Sequence, residues 1–172
     1  QAISEGYAAY RKSFATLADA SIALGLDPSS GREGAMRSAV HSIEELLKTV
    51  DDKGLQASML MMRRHEKDFI MRRDAKYVAR HAEERAAFAS APVDRFGGAA
   101  NQATILKALD TYGKAFEDYA AIAETEAAAS TGVSGAFAAV EPFFDRVSAA
   151  IASDKAKAES ESASALETTH RI

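Results

Sequence analysis

The sequence contains no cysteine, which removes disulfide frameworks and thiolate metal sites together. It leaves the compartment open, because a cysteine-free chain suits periplasm and cytoplasm alike. It has no run of about 18 apolar residues either, so no segment is expected to cross a membrane, and no charged-then-apolar leader heads the chain. Charge of one sign is also missing: 21 Lys and Arg stand against 25 Asp and Glu, a formal net charge of -4. Without a basic excess, and without RRM, zinc-finger or helix-turn-helix signatures, nucleic acid is not an expected partner. The nucleophile elbow, the phosphate loop and the zinc-binding HExxH motif are absent, so no enzyme activity and no cofactor are expected. Only 10 glycines and 3 prolines interrupt 172 residues. With 47% hydrophobic and 27% charged residues, that leaves a folded, mostly helical chain of one-domain length. The first residue is Gln1 rather than methionine, and we expect a piece of a longer protein whose flanking parts hold the membrane segments.

Apolar spacing divides the chain into five helices. Ile3, Tyr7, Tyr10, Phe14, Leu17, Ser21 and Leu24 alternate steps of four and three, the seam of a helix packed in a bundle. The stretch "GLDPSSG" ends it, with Gly25 as a C-terminal cap, Pro28 as a stop, and Ser29 or Ser30 capping the next helix. Met36, Val40, Ile43, Leu47 and Val50 continue the rhythm, and with no proline before Pro92 the second helix is expected to reach Arg72. Its phase slips once. After Val50 the next seam position is Gly54, yet the pattern resumes one residue later at Leu55, Met59, Met62, Glu66, Phe69 and Arg73. A helix passing between two sets of neighbours at "DDKG" accounts for the slip, and a break or bulge there accounts for it as well. A third helix, capped by Asp74, turns Val78, His81, Arg85 and Phe88 inward; a fourth carries Ile105, Leu109, Tyr112, Phe116, Tyr119 and Ala123. "STGVSG" at residues 130–135 should end the fourth, and a fifth then buries Phe137, Val140, Phe144, Val147 and Ile151, with Pro142 kinking it or marking its first turn.

Short connections make neighbours antiparallel. The expected architecture is all-α: an elongated antiparallel bundle in which residues of about 55–151 form a complete four-helix bundle. Residues of about 1–54 and 152–172 form a second, incomplete one, sharing two long helices with the first. Two strings, "LGLDPSSGREGAMRSAVHSIEELL" (24–47) and "MMRRHEKDFIMRRDAKYV" (61–78), resemble the helical bimodular sensor domain of bacterial chemoreceptors, and the second resembles four-helix-bundle chemoreceptor sensor domains more widely. The resemblance implies a periplasmic ligand-binding domain of an inner-membrane protein, set between transmembrane helices and paired as a homodimer. It also implies stacked membrane-distal and membrane-proximal modules, and a small carboxylate as ligand. It carries no residue over to the proximal pocket.

Geometry picks the distal residues. At 1.5 Å per residue, antiparallel stacking from the 72–74 turn brings Glu66 level with His81, Arg63 with Arg85, and Tyr112 with His81; Phe144 and Val147 fall at about the same height. One layer of an apolar bundle thus holds Glu66, His81, Arg85 and Tyr112 on seam positions, with Arg63 flanking. Burying such groups unpaired costs several kcal/mol, roughly, so they either satisfy one another or hold a ligand. An arginine fork with a tyrosine or histidine donor is the chemistry a small organic anion needs. The structural alternative is a closed network in which Glu66 pairs with Arg63 or Arg85 and His81 bonds Tyr112, within a helical interaction or dimerisation module that takes no ligand. Arg64, His65, Lys67 and Asp68 lie off the seam and read as a solvated face. Arg72 and Arg73 favour the helix dipole, and the methionines at 59, 61, 62 and 71 read as core and subunit contact rather than a metal box. His41 reads as a surface residue or a contact between modules. A di-iron carboxylate enzyme needs two ExxH pairs, and only "ETTH", Glu167 to His170, fits; no metal site is expected.

Overall fold

A computed structural model describes the backbone of residues 2–169 and the side chains of residues 4–164. The chain is all-helical over that range: α1 (Ala2–Leu24), α2 (Gly31–Leu47), α3 (Lys53–Arg72), α4 (Lys76–Ala89), a single 3-10 turn (Val93–Phe96) and α5 (Ala99–Thr169). Its contacts divide into two units. One comprises the residues up to Ala15 with those from Ala129; the other runs from Thr16 to Ala128. The expected boundaries near residues 54 and 151 are therefore not where the contacts separate.

The larger unit is an antiparallel four-helix bundle, and its helices differ from those the spacing predicted. Residues 48–52 form a chain reversal, not a continuation of one long helix. Thr49 N–H donates to Leu46 O at 3.2 Å and Val50 N–H to Leu47 O at 3.1 Å, tightening the end of α2. Asp52 then takes an extended conformation and its carboxylate caps α3 by accepting from Leu55 N–H at 2.8 Å. Arg95, from the 3-10 turn, reaches the same carboxylate through Nε at 2.8 Å and Nη2 at 2.6 Å. This fork, first, and the Leu55 bond, second, hold the Asp52 carboxyl well below its ordinary range. Because the chain turns back here, α2 lies against α3: Glu44 approaches Arg63 at 3.9 Å, and Leu47 shares a groove with Gln56.

Direction alternates round the bundle. Ser58 of α3 bonds Glu84 of α4 at 2.6 Å, His81 of α4 packs on Phe116 of α5 at 4.4 Å between ring centroids, and Arg32 of α2 pairs with Asp118 of α5 at 3.2 Å. So α2 fills the fourth position, which the sequence reading had given to residues 135–151. The core joins Met36, Val40 and Ile43 of α2, Leu55, Met62 and Phe69 of α3, and Phe88 of α4 to Ile105, Leu109 and Phe116 of α5. Each set follows the three-four spacing seen in the sequence, one apolar stripe per helix. Gly25 (φ 121°) and Gly31 (φ 58°) take the left-handed turns that let α1 end and α2 begin.

The smaller unit is a pair of antiparallel helical segments in which Gly6 meets Val140 and Ser13 meets Gly132. α5 passes through "STGVSG" and Pro142 without ending, contrary to the expected break. Ser134 hydroxyl bonds back to Ser130 O at 3.1 Å, and the Gly132 backbone lies so close to Ser13 that a Cβ there would sit 2.9 Å from its Oγ. Tertiary contact here outweighs weak helix propensity. Two helices cannot enclose a core: among the described residues of this unit, only Ala129 and Val140 of the apolar positions are buried, while Phe137, Phe144, Val147 and Ile151 stay about half exposed or more.

Candidate functional site

The polar layer sits inside the four-helix bundle. Glu66 is 1% exposed, and phase explains why: it falls on the α3 seam between Met62 and Phe69, so the helix that buries those residues buries it too. Its carboxylate is satisfied from three sides. Arg63 Nη1 donates at 2.7 Å to Oε1 and 2.6 Å to Oε2, Tyr112 hydroxyl donates to Oε2 at 2.7 Å, and Lys67 Nζ lies 3.4 Å from Oε1. Burial first, and the Glu66 charge second, push the Tyr112 hydroxyl far above its ordinary range, so it stays a donor. Burial alone works against the Arg63 charge, but the Glu66 carboxylate outweighs it and raises its pKa.

His81 is in the layer but outside this network. Its ring packs edge-on against Tyr112 at 4.9 Å and tilted against Phe116 at 4.4 Å, and its buried Nε2 has no hydrogen-bond partner. The expected His81–Tyr112 hydrogen bond is therefore replaced by an aromatic contact, because the Tyr112 hydroxyl is spent on Glu66. Burial first, then the neighbouring Arg85 and His65, push the His81 pKa down to about 3. The imidazole is neutral at ordinary pH and cannot offer a cation to an anion.

Arg85 departs further from expectation. It crosses the bare backbone of Gly113, where a Cβ would lie 1.5 Å from its Nη1, and ends on Glu117 Oε1 at 2.8 Å, at the surface. Nor do Phe144 and Val147 wall the layer; they belong to the smaller unit. Of the five residues expected together, Arg63, Glu66 and Tyr112 form one hydrogen-bonded set, His81 packs on it, and Arg85 faces away.

Some off-seam expectations also change. Arg64 and Lys67 are exposed, but His65 and Asp68 are half-buried. His65 stacks on Tyr77 at 6.5 Å and its Nδ1 is buried without a hydrogen-bond partner, while Asp68 pairs with Arg72 at 3.1 Å. Met59 and Met62 are core; Met61 and Met71 are exposed. His170 of "ETTH" and the side chains of its companions lie outside the described residues. Among the described residues no group of three or more His, Cys, Asp or Glu could hold a metal ion.

Spacing along single helices missed a groove between α2 and α3, because it joined those helices end to end. The groove has a volume of about 270 Å3, and Glu66, Arg63 and Lys67 form its α3 wall, with Glu33, Arg37 and His41 opposite on α2. It is the surface on which the buried layer opens. A second groove, of about 260 Å3 between α4 and α5, carries alanines with Arg85 and Asp110.

Comparison of the chain with known protein families, curated proteins and solved structures finds no match.

Proposed function

We propose that this chain is the ligand-binding sensor domain of a transmembrane chemoreceptor, taking a small organic acid in its helical bundle and signalling by shifts of helices or subunits. The observation that carries the reading is the Glu66–Arg63–Tyr112 set. A carboxylate fixed inside the bundle holds an arginine that also lines a solvent-open groove with further cations. Preorganised guanidinium donors at the mouth of a largely preformed pocket are what recognition of a carboxylate requires. The resemblance of residues 24–47 and 61–78 to bacterial sensor domains gives the same class, and with it a periplasmic location and flanking transmembrane helices. On this reading the smaller unit is the incomplete second module, and its half-exposed Phe137, Phe144, Val147 and Ile151 meet a second copy in a homodimer.

One observation favours a second reading. Both oxygens of Glu66 are already engaged within the chain, so the layer also suits a ligand-free interaction module in which it only fixes the register of α3 on α5. Thermal-shift screening of the chain against organic acids and amines separates the two. The sensor reading expects stabilisation by at least one small acid, lost in Arg63→Ala after allowance for that variant's lower baseline. No stabilisation by any compound would leave the interaction module. No helix of the described residues is long and apolar enough to cross a membrane.

A further inference from the structure

We infer that the ligand is a small oxyanion held in the α2–α3 groove, by Arg37 and Lys67 together with the outer edge of Arg63, and not inside the polar layer. The inference rests on the sensor reading and assigns its site. Two pairs of side chains carry it. Arg37 and His41 stand one turn apart on α2, Arg63 and Lys67 one turn apart on α3, and all four line one groove. Each pair spans roughly 6 Å along its helix. The antiparallel course of α2 and α3 sets the pairs face to face.

The donors are unequally used. Arg63 spends Nη1 on Glu66 and also acts on the Tyr112 hydroxyl; its Nε faces Glu44 at 3.9 Å, beyond hydrogen-bond length, so that side of the guanidinium can still turn to an oxyanion in competition with Glu44. Lys67 pairs with Glu66 at 3.4 Å but is exposed, so its ammonium keeps donors for a second partner. Arg37 is exposed and makes no ion pair among the described residues. The groove's carboxylates are Glu33 and Glu66, with Glu44 beside them 3.9 Å from Arg63 and 3.4 Å from His41, and Glu66 is already bonded from within. What remains on the open face is the Arg37 guanidinium, with Arg63 and Lys67 across from it.

The interior offers no such place. Glu66, His81 and Tyr112 are each 2% exposed or less, Tyr112 donates its proton to Glu66, and neutral His81 supplies no charge. Among the described residues lining the groove, Met36 is the one apolar side chain and it is 1% exposed, so the groove's surface is made by charged side chains and their aliphatic stems. A volume of about 270 Å3 lies just below the range of drug-sized pockets, roughly 300–1,000 Å3, and suits a few heavy atoms. A short carboxylic acid and a phosphate share that oxyanion chemistry.

Calorimetric titration of the whole chain at low ionic strength with succinate, and separately with inorganic phosphate, tests the assignment. Arg37→Ala and Lys67→Ala are the variants, since both side chains are exposed and their removal leaves the core intact. Binding of one probe, weakened at least about tenfold in each variant and little changed in Tyr112→Phe or Arg85→Ala, supports the groove; the probe that binds tells acid from phosphate. Unchanged affinity in Arg37→Ala and Lys67→Ala, with loss in Tyr112→Phe, overturns the groove and returns the ligand to the layer, leaving the sensor reading standing. Failure of both probes overturns the groove as well, and only a failed screen against the wider set of acids and amines removes the sensor reading with it.

Discussion

Replacing Tyr112 by phenylalanine removes one hydroxyl from a position that is 0% exposed and leaves the ring in place against His81. The hydroxyl donates at 2.7 Å to a carboxylate that is itself 1% exposed. A hydrogen bond to a charged group contributes roughly 1.5–3 kcal/mol net. Arg63 and Lys67 remain on Glu66, so the carboxylate is left short of one donor and not abandoned. A loss of about 2 kcal/mol follows, which for a chain of this size lowers Tm by roughly 4–8 °C. Urea denaturation followed by circular dichroism should show the midpoint moving with the slope unchanged. Because Tyr112 and Glu66 touch, a double-mutant cycle with Glu66→Gln should give a coupling of at least about 1 kcal/mol. A Tyr112→Phe change within about 0.5 kcal/mol of the parent, or strict additivity in the cycle, would refute the view that this carboxylate depends on Tyr112.

The His81 ring makes stability depend on pH. Its folded pKa of about 3 lies below the unfolded value near 6.5, so between the two the unfolded chain binds the extra proton and stability falls as pH falls. The loss reaches about 2 kcal/mol from pH 7.5 to 5, and His81→Leu should flatten that slope without destabilising the protein at pH 7.5. Gly135 has open space where a Cβ would stand, so Gly135→Ala should stabilise by roughly 0.5–1 kcal/mol. Gly34 has Ser29 backbone at 2.2 Å from the same point, and Gly34→Ala should destabilise by about 2 kcal/mol; paired thermal melts compare them. Arg85→Ala loses only a surface pair with Glu117, and a Tm change beyond that of about 1 kcal/mol would show that Arg85 serves the layer after all.

The buried stripes were legible. Met36, Val40, Ile43 and Leu47, then Leu55, Met59, Met62, Glu66 and Phe69, are all buried at their predicted spacing, and Glu66, His81 and Tyr112 do share one level. The connection between the first two stripes was not, because α2 and α3 are joined without proline or a glycine in the turn; the one-residue slip at residues 51–54 was the trace of a reversal capped by Asp52. The opposite error arose at "STGVSG", where a run rich in serine, threonine and glycine lies inside α5. Local sequence there lacks the information that Ser13 and Gly132 pack together. Misplacing these two joints removed α2 from the bundle, and with it the groove.

Once α2 is restored, the roles of the charged residues separate by distance from solvent. Glu66 is the fixed point, bound to α5 through Tyr112 and to its own helix through Arg63. Arg63, a quarter exposed, touches both this carboxylate and the α2 side, where Glu44 waits at 3.9 Å. An oxyanion that draws the Arg63 guanidinium toward α2 therefore competes with Glu66 for it. A ligand shifts an equilibrium only by its differential affinity for two states, and on the proposed groove reading those states would differ in how Arg63 divides itself between α2 and the interior. Ligand affinity should consequently rise when the Glu66 claim is weakened. Glu66→Gln, which keeps the shape and removes the charge, should bind an oxyanion more tightly than the parent while being less stable; equal or weaker binding in that variant would break the link between the groove and the buried layer.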